Sequence, residues 1–354
     1  MKKSLIALAV AGAFAAPAFA ASSNVDFYGQ FRVSVDHLNN SIGWGMNDET
    51  SRIGFKGAED LGGGLKAIYQ WESGFNAGVS GAGNSTGTNS AGTLTGGMPA
   101  GGLGNQRDTF VGLSGDFGTV VAGRHDTPYK MAGSADLFAD TLADAQNGGA
   151  RCIICEDLRV ANAIAYVSPD MSGLSIVGAI VPGNFTITNN TAGTKSLNGL
   201  SDAYSLAGMY NNGPMKVTAG YENLGNYVGN AAGASSQNAW KLNGAYTIGD
   251  LKLSATYEKI SNAGGVSANS QTDYLLSAAY GMGPITLAAQ YGKKNPSGNA
   301  NNTTDTTVGV VYGLSKRTST YVGYAHYGVD SGINLTGTAG QALNALTMGM
   351  NHSF

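Results

Sequence analysis

Charge is scarce in this chain. Asp, Glu, Lys and Arg make up 12% of its 354 residues, about half the share of an ordinary soluble domain. Proline numbers only 8 and cysteine 2, which excludes a disulfide-built scaffold. Beyond residue 20 there is no run of about 18 apolar residues, and that excludes a membrane-spanning helix. Residence in a membrane would have to be as a closed barrel of strands. Nor is there an excess of positive charge, since 20 basic residues face 23 acidic ones and leave no electrostatic footprint for nucleic acid. The four histidines, His37, His125, His326 and His352, are scattered. Neither a zinc site nor a Ser, His and acid constellation emerges from them. No metal, cofactor or enzymatic activity is expected.

What the chain has is alternation. Leu251, Leu253, Ala255 and Tyr257 share one parity, and Lys252, Ser254, Thr256 and Glu258 the other, the period of a strand with one apolar and one wet face. Sixteen such segments are predicted, at about 24–37, 50–57, 64–75, 106–114, 118–126, 159–168, 173–181, 202–211, 214–223, 238–248, 251–260, 271–281, 284–293, 304–314, 317–328 and 343–354. Their links alternate tight and long. Asn212-Gly213, Gly249-Asp250 and Met282-Gly283 are tight, and the next link is long each time, so all tight turns fall at one end, as in outer-membrane barrels. In the clearer strands the apolar parity carries no charge, while the opposite parity holds Asp26, Arg32, Asp36, Arg52, Lys56, Lys66, Glu72, Lys216, Glu222 and Lys241. A one-sided sheet would do the same, but the tyrosines favour a barrel. Tyr210, Tyr246, Tyr280 and Tyr312 sit near tight turns and Tyr221, Tyr257 and Tyr291 near long loops, as two interfacial girdles require. Sixteen strands leave an aqueous lumen.

The N-terminus supplies an address. Lys2 and Lys3 precede an apolar stretch and the small-residue pattern Ala18, Phe19, Ala20, so residues 1–20 are expected to be a secretory signal and 21–354 a single barrel domain. Without those two lysines the basic count falls to 18 against 23 acids, a formal charge of −5. The two cysteines, Cys152 and Cys155, form a CxxC in this exported chain. A local disulfide is the expectation in an oxidising compartment, with thiol exchange the other reading.

Several segments resemble a known family. They are Asp26-Phe27-Tyr28-Gly29, Ser51-Arg52-Ile53-Gly54-Phe55-Lys56-Gly57, Arg107-Asp108-Thr109-Phe110-Val111-Gly112-Leu113 and the ending Met350-Asn351-His352-Ser353-Phe354. They are similar to those of the general diffusion porins of the Gram-negative outer membrane, in the neisserial and beta-proteobacterial branch. The resemblance implies an all-β, 16-stranded antiparallel transmembrane β-barrel with short periplasmic turns, long extracellular loops and an inward-folded third loop. It also implies a homotrimer set in outer-membrane lipid and lipopolysaccharide, passing small hydrophilic solutes and ions by passive diffusion. The terminal Phe354 resembles the signal read by the barrel assembly machinery.

The segment from about Thr127 to Leu158 matches the inward loop in position. Within it Asp136, Asp140 and Asp144 are spaced four apart, which predicts one face of a short helix ended by Asn147-Gly148-Gly149. The alternative is an exposed acidic face capped by Asp136. Lumen parity suits Arg32, Arg52 and Arg159, and by resemblance Arg52, Arg107 and Arg159 line the pore wall, although Arg107 shares its parity with Thr109, Val111 and Leu113. Each arginine could instead pair with a carboxylate away from the narrowest point. Arg124 is a further candidate. A substrate-selective channel for anions or small organic acids, a barrel-embedded hydrolase and an adhesin are the alternative functions. The hairpin from Thr109 to Gly123 is the expected trimer contact. The sign of ion selectivity and any bound calcium stay open.

Overall fold

The computed structural model describes residues 25–40, 42–77, 105–146, 151–183, 199–225, 235–297, 302–329 and 340–354. The expected signal segment 1–20 and the expected helix stop at Asn147-Gly148-Gly149 lie outside them. In chain order the strands are β1 (Val25–Leu38), β2 (Gly43–Asp48), β3 (Arg52–Gly62), β4 (Leu65–Gly74), β5 (Asn105–Gln106), β6 (Thr109–Gly115) and β7 (Gly118–Asp126). After the one-turn helix α1 (Pro128–Met131) come β8 (Arg159–Val167), β9 (Leu174–Val181), β10 (Ala203–Asn212), β11 (Met215–Asn223) and β12 (Asn238–Ile248). The last are β13 (Leu251–Ser261), β14 (Ser270–Met282), β15 (Ile285–Pro296), β16 (Thr303–Gly313), β17 (Thr318–Val329) and β18 (Leu343–Ser353).

These segments close into sixteen staves. Both β2 and β3 pair with β1, at Val33–Leu38 and Val25–Gln30 respectively. Both β5 and β6 pair with β4. Each is thus one stave interrupted by an irregularity, and every pairing is antiparallel. The ring closes where β1 meets β18, from Gln30↔Ser353 to Leu38↔Ala345. Alternation located the second stave only from about residue 50, because Glu49–Ser51 break it and Thr50 adopts a φ of 65°.

The two parities become an outside and an inside. Leu253, Tyr257, Leu276, Leu287, Val308 and Val310 are exposed, while Thr256, Glu258, Asp273, Gln290, Asp305 and Thr307 of the same strands are buried inside the ring. A lysine or arginine placed among the first group at the bilayer midplane would cost about 2 to 4 kcal/mol. Tyr246, Tyr280 and Tyr312 ring the tight-turn end on the outer surface. At the other end Tyr204 lies against Tyr221, Trp240 against Tyr257 and Tyr274 against Tyr291, with ring centroids 5.1–6.2 Å apart. Gly213, Gly249 and Gly283, at φ of 56°, 59° and 61°, adopt the left-handed backbone that tight hairpin turns demand.

The seam is sealed by the last residue. Gly29 N donates to Phe354 O at 3.2 Å and Phe354 N to Gly29 O at 3.0 Å, and the Phe354 ring packs on Phe31. A Cβ on Gly29 would collide with that ring and with the Arg52 carbonyl. Gly29→Val is therefore expected to impair ring closure, read as a smaller fraction of compact, heat-modifiable protein on cold gels. An unchanged fraction would show that Phe354 moves aside at no cost.

Candidate functional site

Between β7 and β8 the described residues 127–146 and 151–158 lie within the ring. Thr127 caps α1, its Oγ1 accepting from Lys130 N at 3.2 Å, with Pro128 at the first helical position, where the missing N–H costs nothing. The helix docks on the inner wall. Tyr129 N donates to Ser205 Oγ at 2.8 Å, Tyr129 OH to Glu258 Oε1 at 2.8 Å, and Thr218 Oγ1 to Ala132 O. The chain then crosses the lumen, with Ala135 N on Thr256 Oγ1 at 2.7 Å and Leu137 N on Gln290 Oε1 at 3.1 Å. Phe138 is buried with Leu38, Ala325, Tyr327, Leu343 and Ala345. On the way back Ile153 and Ile154 are buried with Ala135, Ala145 and Leu275, and both their N–H groups reach Ala145 O. Cys152 and Cys155 are joined by a disulfide.

The expected helix across Asp136, Asp140 and Asp144 is not formed. The segment 132–146 is a series of turns, and Asp140 has a φ of 59°. Short acidic side chains compete with helix by bonding nearby N–H groups, and two of the three do so here. Asp136 accepts from Phe138 N at 2.8 Å and Ala145 N at 3.0 Å, and Asp144 from Asp140 N at 2.7 Å and Gln146 N at 2.6 Å. They fold the loop. Asp140 alone reaches the opposite wall, where its Oδ2 meets Arg32 Nη1 at 3.1 Å and Arg52 Nη1 at 3.5 Å. Arg32 Nη2 also donates to Ala139 O at 3.0 Å.

Arg107, Arg124 and Arg159 form no ion pair with the loop tip. Arg107 pairs with Glu72, whose other oxygen accepts from Tyr28 OH at 3.0 Å. Arg159 bridges Asp108 at 2.7 Å and Asp126 at 2.9 Å, and Asp126 also holds Lys130 at 3.3 Å. Arg124 lies close enough to Arg159, Asp108, Asp126 and Arg107 to feel their charges. Its Nε donates to Gln106 O at 2.9 Å, and it forms no ion pair among the described residues. Parity could not place Arg107 or Arg124, because the first lies in the break between β5 and β6 and the second in a register shift between Gly123 and His125. Arg32, Arg52, Arg107, Arg159 and Lys130 thus pair with Glu72, Asp108, Asp126 and Asp140, and Arg124 stands beside them without an ion pair among the described residues.

Burial pushes the Asp140 carboxyl up, but the guanidiniums of Arg32, Arg52 and Arg107 outweigh it and hold it at about 2. Burial, then the charge of Asp144, push Asp136 well above the ordinary carboxylate range. The signs differ, and so do the pH windows. A carboxyl held low stays ionised until pH falls through that low value, so the charge on the loop tip is constant from pH 7 to about 4. A carboxyl held high stabilises the folded loop fully below the ordinary value of about 3.9 and loses that contribution as pH rises through the raised one. The carboxyl carbon resonance of Asp140 is accordingly expected to stay level between pH 7 and about 4. A resonance that moves over this range would show Asp140 to be free of its arginines.

Comparisons with known proteins bear on the family and fold of the chain. A family model described as Gram-negative porin matches residues 7–332. The chain is 39% identical over 145 residues to a major outer membrane protein P.IB of Neisseria gonorrhoeae, covering 38% of this chain and 35% of that protein. It is 35% identical over 186 residues to the P.IB protein of Neisseria meningitidis serogroup B, covering 49% and 48%. The match thus spans between about a third and a half of the length of these curated relatives. Among solved structures it is similar to an anion-selective porin from Comamonas acidovorans, with 25% identity, a TM-score of 0.72 and coverage of 94% of this chain and 100% of that one.

Proposed function

The chain belongs to the Gram-negative porin family, and from that membership we propose that it forms a water-filled channel in the outer membrane for passive diffusion of small hydrophilic solutes and ions. The observation that carries this reading is the loop bound across a sixteen-stave lumen, with Asp140 touching Arg32 and Arg52 on the facing wall. A charged, ordered constriction inside a wide barrel sieves by size and biases ions by sign. The barrel needs no nucleophile and no cofactor for that task.

The wall supports a preference for anions. Arg32 and Arg52 share one carboxylate in their ion pairs, and Arg124 forms no ion pair among the described residues, so guanidinium groups outnumber their paired carboxylates on this wall. The likeness to an anion-selective porin points the same way. Three copies would pack through the hairpin of β6 and β7, where Val111, Leu113, Phe117 and Val120 are exposed and uncharged.

Swelling of vesicles carrying the protein tests the reading directly. Swelling is expected to be fast in small sugars and to fall steeply as solute size rises. Rates equal to those of empty vesicles for every solute would refute a diffusion pore, and rates that saturate for one sugar alone would favour a substrate-selective channel.

A further inference from the structure

The CxxC pair is a motif that channel function leaves without a task. On the return leg of the loop, Cys152 lies buried beside the fully buried Ile153 and Ile154, whereas Cys155 is only partly covered. Lys294 of β15 donates from Nζ to Cys155 Sγ at 3.5 Å, and Cys155 N donates to Glu258 Oε2 at 3.3 Å. Lys294 also feels the carboxyls of Asp273, Glu258 and Glu156. Glu258 and Lys294 sit within three residues of the long-loop ends of β13 and β15. The two sulfurs therefore differ. One is closed off, and the other belongs to a partly covered residue and lies beside a cation.

We propose that Cys155 is a thiol-exchange site in the long-loop vestibule of the lumen, reached by small hydrophilic thiols. A thiolate attacks Cys155 Sγ along the disulfide axis, the new S–S bond forms as the old one breaks, and the electron pair leaves on Cys152 Sγ, which takes a proton from water. A second thiolate then attacks the sulfur of the attached small thiol. It departs as the symmetric disulfide and leaves Cys155 as a thiolate. Two thiols are oxidised and one protein disulfide is reduced to the dithiol. Lys294 draws an anionic thiolate inward and favours the Cys155 thiolate at the end. The opening is local. The disulfide spans a sequence separation of only three, and Ile153 and Ile154 stay held by Leu275 and by their N–H bonds to Ala145 O.

Protein reconstituted in lipid vesicles and exposed to 2-mercaptoethanesulfonate, with 2-mercaptoethanol as the uncharged comparison, tests the assignment by peptide mass after acid quenching. The adduct is expected on Cys155 first, followed by the dithiol, while the barrel keeps its compact form on cold gels. Lys294→Gln is expected to slow the anionic thiol roughly tenfold relative to the uncharged one, and Lys294→Arg to retain the rate. Cys152→Ser leaves Cys155 as a free thiol, which a membrane-impermeant maleimide is expected to label in the intact barrel. An adduct on Cys152, equal slowing of both thiols by Lys294→Gln, or no reaction before the barrel is unfolded would overturn the proposal.

Discussion

Replacing Arg52 and Arg124 together by glutamine is expected to abolish the proposed anion preference of the pore. The pair is chosen because neither change orphans a buried carboxylate. Asp140 keeps Arg32 at 3.1 Å when Arg52 is lost, and Arg124 has no ion pair to lose among the described residues. Arg159→Gln, by contrast, would strip Asp108 and Asp126 of their guanidinium, and a buried charge left unpaired threatens folding. The double variant leaves Arg32, Arg107, Arg159 and Lys130 paired with Asp140, Glu72, Asp108 and Asp126. One unit charge about 4 Å from a permeating ion is worth about 1 kcal/mol in water, a factor of about five in relative permeability. Two charges should therefore bring the anion-to-cation ratio close to one or past it. The complementary Asp140→Asn frees Arg32 and Arg52 and should raise the ratio. Reversal potentials in a salt gradient measure both, and a shift of the same sign in the two variants would remove the loop tip and the wall from the selectivity filter.

The second large effect belongs to Phe138. Its ring is buried against Tyr327, Leu343 and Leu38, in space left by Gly309 and Gly323, and it anchors the loop immediately before Asp140. Truncating such an aromatic typically costs about 3 to 5 kcal/mol. The strand ladder does not depend on that contact, so the cost falls on the docked loop and not on the barrel. Phe138→Ala should give compact, heat-modifiable protein whose single-channel current is larger or fluctuates between levels. A steady current of normal size would mean that the hydrogen bonds to Thr256 and Gln290 suffice to hold the loop.

The barrel was legible because one rule applies to every stave. Residues of one parity face fat and of the other face water or the loop, so Leu253 and Glu258 announce their sides without reference to anything distant. The site was legible only where that rule runs unbroken, as at Arg32 and Arg52. Arg107 and Arg124 stand at irregularities where parity changes hand, and their roles depend on Glu72 and Gln106, contacts that no periodicity encodes. The four-residue spacing of Asp136, Asp140 and Asp144 pointed to a helix. Inside the barrel the carboxylates of Asp136 and Asp144 are instead the acceptors for a loop with no ladder of its own. One signal for docking was present. Ile260, Leu275, Tyr327 and Leu343 are apolar residues of lumen parity, and all are buried. Where the water-facing face turns apolar, something must cover it, and residues between β7 and β8 cover these.

Ions should cross a wet lumen past a fixed loop tip whose single carboxylate is outnumbered by the arginines paired with it. Current through the purified protein in a planar bilayer, under a salt gradient, reads this out. Discrete, stable conductance steps are expected, with a reversal potential of the sign that marks anion preference. An absence of steps, or steps reversing at the cation-selective sign, would contradict it.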